Sequence, residues 1–141
     1  MKNRVKKLYL SLSEAPKRKE VQTIEIDAHG VIDDKFYNKE LNRSILVTSI
    51  KAYKIAEENG IDISYGDLGE NILIDADIDD LKPYDKFEIG DTTVEVTQNC
   101  TLCNGLTTIN SKLPKLLKDD RGIFVKTIIS GTIHVSDSIG F

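Results

Sequence analysis

The two cysteines of the chain, Cys100 and Cys103, are three residues apart and follow a predicted strand. One thiol of a Cys-x-x-Cys pair often ionises readily, which favours a redox disulfide, but the βαβ context of thioredoxin-like motifs is missing. The pair could instead supply half of a zinc site, yet only His29 and His134 are available as further soft ligands, and their spacing fits no zinc-finger pattern. Two further interpretations stay open. One cysteine acts as a reactive or metal-binding thiolate, or both are small apolar residues that pack beneath a loop.

Three further stretches combine glycine with charged side chains. Residues 66–71 (Gly-Asp-Leu-Gly-Glu-Asn) precede a predicted strand, and glycine lets a ligand approach the backbone closely. Arg121 precedes Gly122 at the start of another strand, where a guanidinium can bind phosphate or carboxylate through two hydrogen bonds. In the loop 27–35, His29 lies among a glycine and several carboxylates. The simpler interpretations are a tight turn for residues 66–71, a surface ion pair for Arg121 and a capping role for His29.

The length of 141 residues predicts a single domain spanning 1–141, which can form a core without a disulfide or structural metal. No apolar stretch approaches the roughly 20 residues of a membrane span, and no signal segment follows the basic start, so we expect a cytoplasmic protein. The net charge of −4 argues against general nucleic-acid binding. Residues 1–19 carry seven Lys or Arg and one Glu, which predicts either a solvated surface or a basic rim facing an anionic ligand.

Short strands must position most of these residues. Apolar patterns predict strands at 5–10, 21–26, 44–48, 71–74, 86–89 and 93–97. Residues 123–135 read as a closing hairpin with its turn at 130–131. One clear helix begins after Ser49 as its N-cap and ends before Gly60, and an irregular helix is expected around 113–118. The pattern predicts a mainly β, barrel-like fold of mixed strands with one or two helices.

Taken in order, these stretches resemble the MOSC domain, named for the C-terminal domain of molybdenum cofactor sulfurases. The resemblance is strongest over 20–141 and is of the small stand-alone type. The matching residues are Gly30, Asp34, Lys35, Gly66, Leu68, Gly69, Glu70, Asn71, Gly90, Asp91, Gln98, Cys103, Arg121, Gly122, Phe124, Gly131 and Asp137. The chain departs from the pattern at Phe36, where the family often has histidine, and at Asp33 and Ser136, where it often has glycine.

The resemblance implies a MOSC fold, similar to the β-barrel domain of pyruvate kinase, and binding of the molybdenum cofactor, molybdopterin. It implies that Cys103 is the catalytic residue, as a molybdenum ligand or sulfur acceptor, with Cys100 and His29 as auxiliary candidates. A pterin phosphate needs cations and backbone N–H groups. The cofactor-binding residues are therefore expected to be Lys35, Arg43, Gly69, Glu70, Asn71, Arg121 and Gly122.

The same resemblance implies an oxidoreductase component that reduces N-hydroxylated compounds, or a sulfur-transfer protein. Neither a pyridoxal-phosphate desulfurase nor a ferredoxin or flavin module fits within 141 residues, so a separate electron-donor or sulfur-donor protein is expected. Two alternatives stay open. The chain could be a non-catalytic carrier of sulfur or cofactor, or a redox protein that uses Cys100 and Cys103 as a dithiol.

Overall fold

A computed structural model describes residues 3–12, 18–100, 110–117 and 120–141. Over these ranges the chain forms α1 (Ile50–Glu58), α2 (Leu113–Leu116) and a 3-10 helix at Leu41–Arg43. The strands are β1 (Arg4–Ser11), β2 (Arg18–Val21), β3 (Thr23–Asp27), β4 (Gly30–Val31), β5 (Ile45–Ser49), β6 (Ile72–Asp75), β7 (Lys86–Ile89), β8 (Thr92–Asn99), β9 (Ile123–Ile129), β10 (Gly131–His134) and β11 (Ile139–Gly140).

Eight strands form a mixed sheet in the order β11-β7-β8-β9-β5-β6-β1-β2, and β10-β3-β4 form a smaller one. Among the described strand pairs, only β5 and β6 are parallel, and α1 lies in the connection between them. The large sheet curls so far that Val5 N donates to Asp137 O at 2.9 Å. Its edge strands β2 and β11 do not pair with each other in the described ranges. The prediction of a mainly β fold with mixed strands and two helices is confirmed, and the barrel-like sheet is not closed.

The core lies between the inner faces of the two sheets. In β3, Ile24 and Ile26 are buried while Thr23 and Glu25 are exposed, because successive side chains of a strand point to opposite faces. A second apolar cluster lies under α1, where Ala52, Tyr53 and Ala56 pack against neighbours from loops, β6 and α2: Leu68, Leu73, Leu113 and Leu117. Within the described residues, no helix is long and apolar enough to cross a membrane.

The predicted helix limits are confirmed by α1. The Ser49 hydroxyl accepts a hydrogen bond from Lys51 N at 3.2 Å, which satisfies one of the free N–H groups of the first turn. Gly60 follows the helix with φ +73°, the left-handed conformation that glycine adopts without steric cost. Short-range capping signals therefore fixed both ends of this element.

The predicted hairpin at 123–135 is wrong. β9 pairs with β5 and β8, whereas β10 leaves the large sheet and pairs with β3, with Ile133 opposite Ile24. The predicted strand at 21–26 is likewise divided at Gln22, since β2 pairs with β1 and β3 belongs to the smaller sheet. Burial of Ile133 against a strand more than 100 residues away decided the pairing, and local turn residues do not encode that distance.

Candidate functional site

A cleft of about 660 Å³ opens beside the loop that joins β4 to β5. It brings together six of the residues predicted from the sequence: Lys35, Arg43, Gly69, Asn71, Cys100 and Arg121. It adds seven that were not predicted: Arg18, Phe36, Lys39, Glu40, Ser44, Leu46 and Phe124. Five of these lining residues are cationic and one is acidic. A groove of similar volume at the end of α1 contains none of the predicted residues.

Two guanidinium groups converge at Gly69, in the turn before β6. Gly69 has φ +90°, which glycine adopts readily, and its N–H donates to Gly66 O at 3.0 Å. A Cβ atom placed on Gly69 would lie 3.5 Å from Arg121 Nη2 and 3.6 Å from Arg18 Nη2. The backbone of this turn, Arg18 and Arg121 therefore form one surface, which we call the floor of the cleft.

The two arginines of the floor are held differently. Arg121 Nε and Nη2 both donate to Leu68 O, at 3.3 and 3.0 Å, which fixes that side chain against the turn. Arg18 Nη1 is buried and has no hydrogen-bond partner among the described residues. Burial lowers the pKa of Arg18, while the nearby carboxylates of Asp34 and Glu70 act in the opposite direction. Arg18 thus presents a buried donor without an acceptor, which is costly unless a ligand supplies one.

Arg18 was missed as an individual site residue. The signal was the excess of basic residues in 1–19, which predicted a basic rim facing an anion as one alternative. The pairing of β2 with β1 places Arg18 opposite Ser11, and its side chain extends to a turn 50 residues further along the chain. Composition could indicate the charge of this segment but could not indicate which residue reaches the cleft.

Glu70 lies behind the floor and does not line the cleft. Its carboxylate is fully buried, where it accepts hydrogen bonds from the Tyr53 hydroxyl at 2.6 Å and from Gly66 N at 3.1 Å. Burial raises the pKa of Glu70, and burial together with the adjacent Glu70 carboxylate raises the pKa of Tyr53. Glu70 ties the glycine turn to α1, so its position is that of a support for the floor.

Asn71 connects three parts of the structure around the cleft. Its side-chain oxygen accepts a hydrogen bond from Leu46 N in β5 at 3.2 Å. Its amide nitrogen donates to Tyr9 O in β1 at 3.3 Å and to Asp34 Oδ1 at 3.0 Å. Both Asn71 and Asp34 are buried, so each of these bonds satisfies a group that water cannot reach.

Asp34 in turn positions the loop between β4 and β5, which contributes cationic side chains to the cleft. Its carboxylate accepts hydrogen bonds from Ser11 N at 2.6 Å and from Phe36 N at 3.0 Å, in addition to the Asn71 amide. Lys35 and Phe36 lie on this loop and line the cleft. Because the carboxylate ties the loop backbone at Phe36 to the end of β1 at Ser11, it helps to position these two side chains.

The outer part of the cleft, which we call the rim, pairs cations with aromatic rings. Lys35 Nζ lies 5.0 Å from the centroid of the Phe36 ring, and Arg43 Cζ lies 5.6 Å from that of Phe124. Lys39 completes the rim, which thus consists of Lys35, Phe36, Lys39, Arg43 and Phe124. These distances are within the range of cation–π attraction.

Of the two cysteines, only Cys100 lies among the residues that the structure describes. Cys100 is 3% exposed and packs with Leu46 and Phe124, and its N–H donates to Gly122 O at 2.9 Å. Cys103, the predicted catalytic residue and metal ligand, lies outside the described residues. Within the described ranges, no three His, Cys, Asp or Glu residues come close enough together to hold a metal ion.

The remaining predicted residues, His29 and Gly122, do not line the cleft. The backbone N–H of His29 donates to Asp27 Oδ1 at 2.8 Å, and its ring meets that of Tyr37 edge-on in an exposed loop. Gly122 has φ +148°, and a Cβ there would lie 2.5 Å from Val47 O. Gly122 therefore permits β9 to approach β5 directly after Arg121, and it places that arginine without touching the cleft.

The chain is similar to solved structures in its fold and to one domain family in its sequence. The fold is similar to crystal structures of the YuaD protein from Bacillus subtilis (17% identity, TM-score 0.80, 99% of this chain and 94% of that chain) and of YiiM from Geobacillus stearothermophilus (16%, 0.75, 97% and 73%). It is also similar to YiiM from Escherichia coli (15%, 0.69, 97% and 68%). No curated protein matches the sequence. The family model for the MOSC domain matches residues 34–140, and the chain therefore belongs to the MOSC domain family, which is associated with molybdenum cofactor binding and sulfur chemistry.

Proposed function

We propose that this MOSC protein binds the molybdenum cofactor, molybdopterin, in the cleft, with Cys103 as molybdenum ligand or sulfur acceptor. The observation that carries the proposal is the unsatisfied, buried Nη1 of Arg18 beside Arg121 at Gly69. Two adjacent guanidinium groups bind an oxyanion through charge-assisted, directional hydrogen bonds. The phosphate of the pterin is an acceptor of this kind.

The rest of the lining also fits a phosphorylated planar molecule. Leu46 provides apolar surface beside the floor, and Lys35 and Arg43 add to the positive potential of the cleft. The volume of about 660 Å³ is typical of small-molecule sites, which range from roughly 300 to 1,000 Å³. The overall acidity of the chain is no obstacle, since binding depends on the local potential of the cleft.

When bound, the cofactor supplies molybdenum redox chemistry, as in a reductase of N-hydroxylated compounds, and a separate donor protein supplies the electrons. The described residues bind and orient. Arg18 and Arg121 hold the phosphate, while Asn71 maintains the loop that carries Lys35. A cysteine thiolate is a soft ligand that binds molybdenum or accepts sulfur. We assign that role to Cys103.

The burial of Cys100 supports this division of roles. A dithiol couple requires both thiols to meet and to be reachable by a redox partner, whereas Cys100 is 3% exposed and packs with Leu46 and Phe124. A buried cysteine in an apolar cluster acts as a small hydrophobic side chain. This packing favours a metal-binding or sulfur-accepting Cys103 over a Cys100–Cys103 redox pair.

The proposal is tested with two matched cysteine variants expressed in cells that make the cofactor. Cys103→Ala should remove molybdenum from the purified protein, while Cys100→Ala should retain most of it. Molybdenum is measured by elemental analysis, and pterin is measured by fluorescence after oxidation. Equal loss of molybdenum in both variants would show that the assignment of Cys103 is wrong.

A further inference from the structure

We propose that the rim binds a second ligand, a substrate that carries an anionic group on a planar ring, such as an aromatic carboxylate. This inference rests on the proposed function, because it leaves the floor to the cofactor and assigns the rim to the substrate. The rim residues stand at the mouth of the same cleft, so a molecule held there lies next to whatever occupies the floor.

The rim carries positive charge that the protein compensates only in part. Arg43 pairs with the exposed Glu40, with Nη1 3.6 Å from Oε2. Lys35 and Lys39 are exposed, and within the described part of the chain they form no ion pair. An anionic group at the rim therefore meets positive charge that the protein leaves uncompensated.

The rim also offers an exposed aromatic ring. Phe36 lines the cleft and is 42% exposed. An exposed phenyl ring offers one face to an aromatic ligand, and ring pairs gain energy beyond simple burial. Lys35 Nζ lies over one face of this ring, which leaves the other face for a ligand, and Lys39 and Arg43 line the same cleft.

The two features together define the chemical class of the ligand. A small anion such as acetate would use the cations but would leave the rings uncovered. A neutral aromatic molecule would use the rings but would bring no acceptor for Lys39 or Arg43. Only a ring with an anionic substituent uses both, which is why the geometry points to an aromatic anion.

The test compares benzoate, benzamide and acetate in titrations of the purified protein, with binding monitored by ligand NMR. Benzoate should bind about fivefold more tightly than benzamide, the size expected for one solvent-exposed ion pair. Acetate should bind more weakly than benzoate. The preference for benzoate over benzamide should disappear in the double variant Lys39→Gln/Arg43→Gln, and it should decrease with added salt.

Two control variants locate the site. Lys54→Gln, an exposed lysine of α1 outside the cleft, should leave the preference unchanged, and Arg18→Gln reports whether benzoate binds at the floor instead. Equal binding of benzoate and benzamide would overturn the inference, as would no detectable benzoate binding up to about 10 mM. A preference lost only in Arg18→Gln would place the anion at the floor and also overturn it. A chain that prefers benzoate but carries no molybdenum would refute the proposed function and leave the rim standing.

Discussion

Replacement of Asn71 by aspartate isolates the hydrogen-bond network that shapes the cleft. The two side chains have nearly the same shape, so Asn71→Asp leaves packing intact. It still offers an oxygen to Leu46 N, but it turns the donor that faces Asp34 at 3.0 Å into a second carboxylate oxygen. A buried charge then loses a donor and gains a like charge. We expect a loss of about 3–5 kcal/mol in the free energy of unfolding near pH 8.

The pH dependence of this loss has a defined sign. Burial and the neighbouring carboxylate raise the pKa of the introduced carboxyl in the folded state above its unfolded value. Folding of the variant is therefore favoured at low pH, and that stability is lost as the pH rises through the folded pKa. The deficit relative to wild type should be largest near pH 8 and should decrease toward about pH 4.

Urea unfolding followed by circular dichroism at several pH values measures both effects. The matched control is Asn59→Asp, because the Asn59 amide is exposed and donates to Ile55 O at 2.7 Å. That change should cost about 1 kcal/mol or less. An Asn71→Asp variant as stable as wild type at pH 8, or one whose deficit does not change with pH, would refute the network as described.

Three further predictions follow from single residues. Gly122→Ala should lower the free energy of unfolding by about 3 kcal/mol in urea, because a Cβ at φ +148° would lie 2.5 Å from Val47 O; full stability would contradict the close approach. The urea midpoint of Glu70→Gln should rise relative to that of wild type as the pH rises above 4.5. Burial raises the pKa of Glu70, so wild type loses stability as the pH rises through the folded-state pKa, and the variant does not. Parallel pH profiles of the two proteins would contradict this. Arg18→Gln should weaken binding of inorganic phosphate about tenfold in calorimetric titration, and unchanged affinity would remove Arg18 from the floor.

The parts of the fold that could be predicted depend on neighbouring residues. Ser49 and Gly60 carry their capping signals locally, and the alternation of Ile24 with Ile26 indicates a strand without reference to the rest of the chain. The pairing of β10 with β3 could not be predicted in this way. The chain passes from the large sheet to the smaller one at 130–131, but the partner of the following strand depends on burial of Ile133 against Ile24, which is distant in the sequence.

The candidate site divides along the same line. Gly69 and Arg121 belong to short motifs with recognisable composition, and both lie at the floor. Arg18 belongs to no motif and joins them only because β2 pairs with β1. Glu70 and Gly122 also belong to motifs, yet Glu70 lies behind the floor and Gly122 lies where β9 approaches β5. A motif identifies which residues are constrained, whereas tertiary structure decides which of them face the ligand.

The amount of molybdenum and pterin bound by the wild-type chain is the most direct test of the central claim. The chain should be purified from cells that load a known molybdoenzyme in parallel. The account predicts that molybdenum and pterin co-purify with the protein in equal amounts and that excess inorganic phosphate competes with retention of the pterin. Absence of both from a folded wild-type preparation, while the parallel molybdoenzyme is loaded, would contradict it.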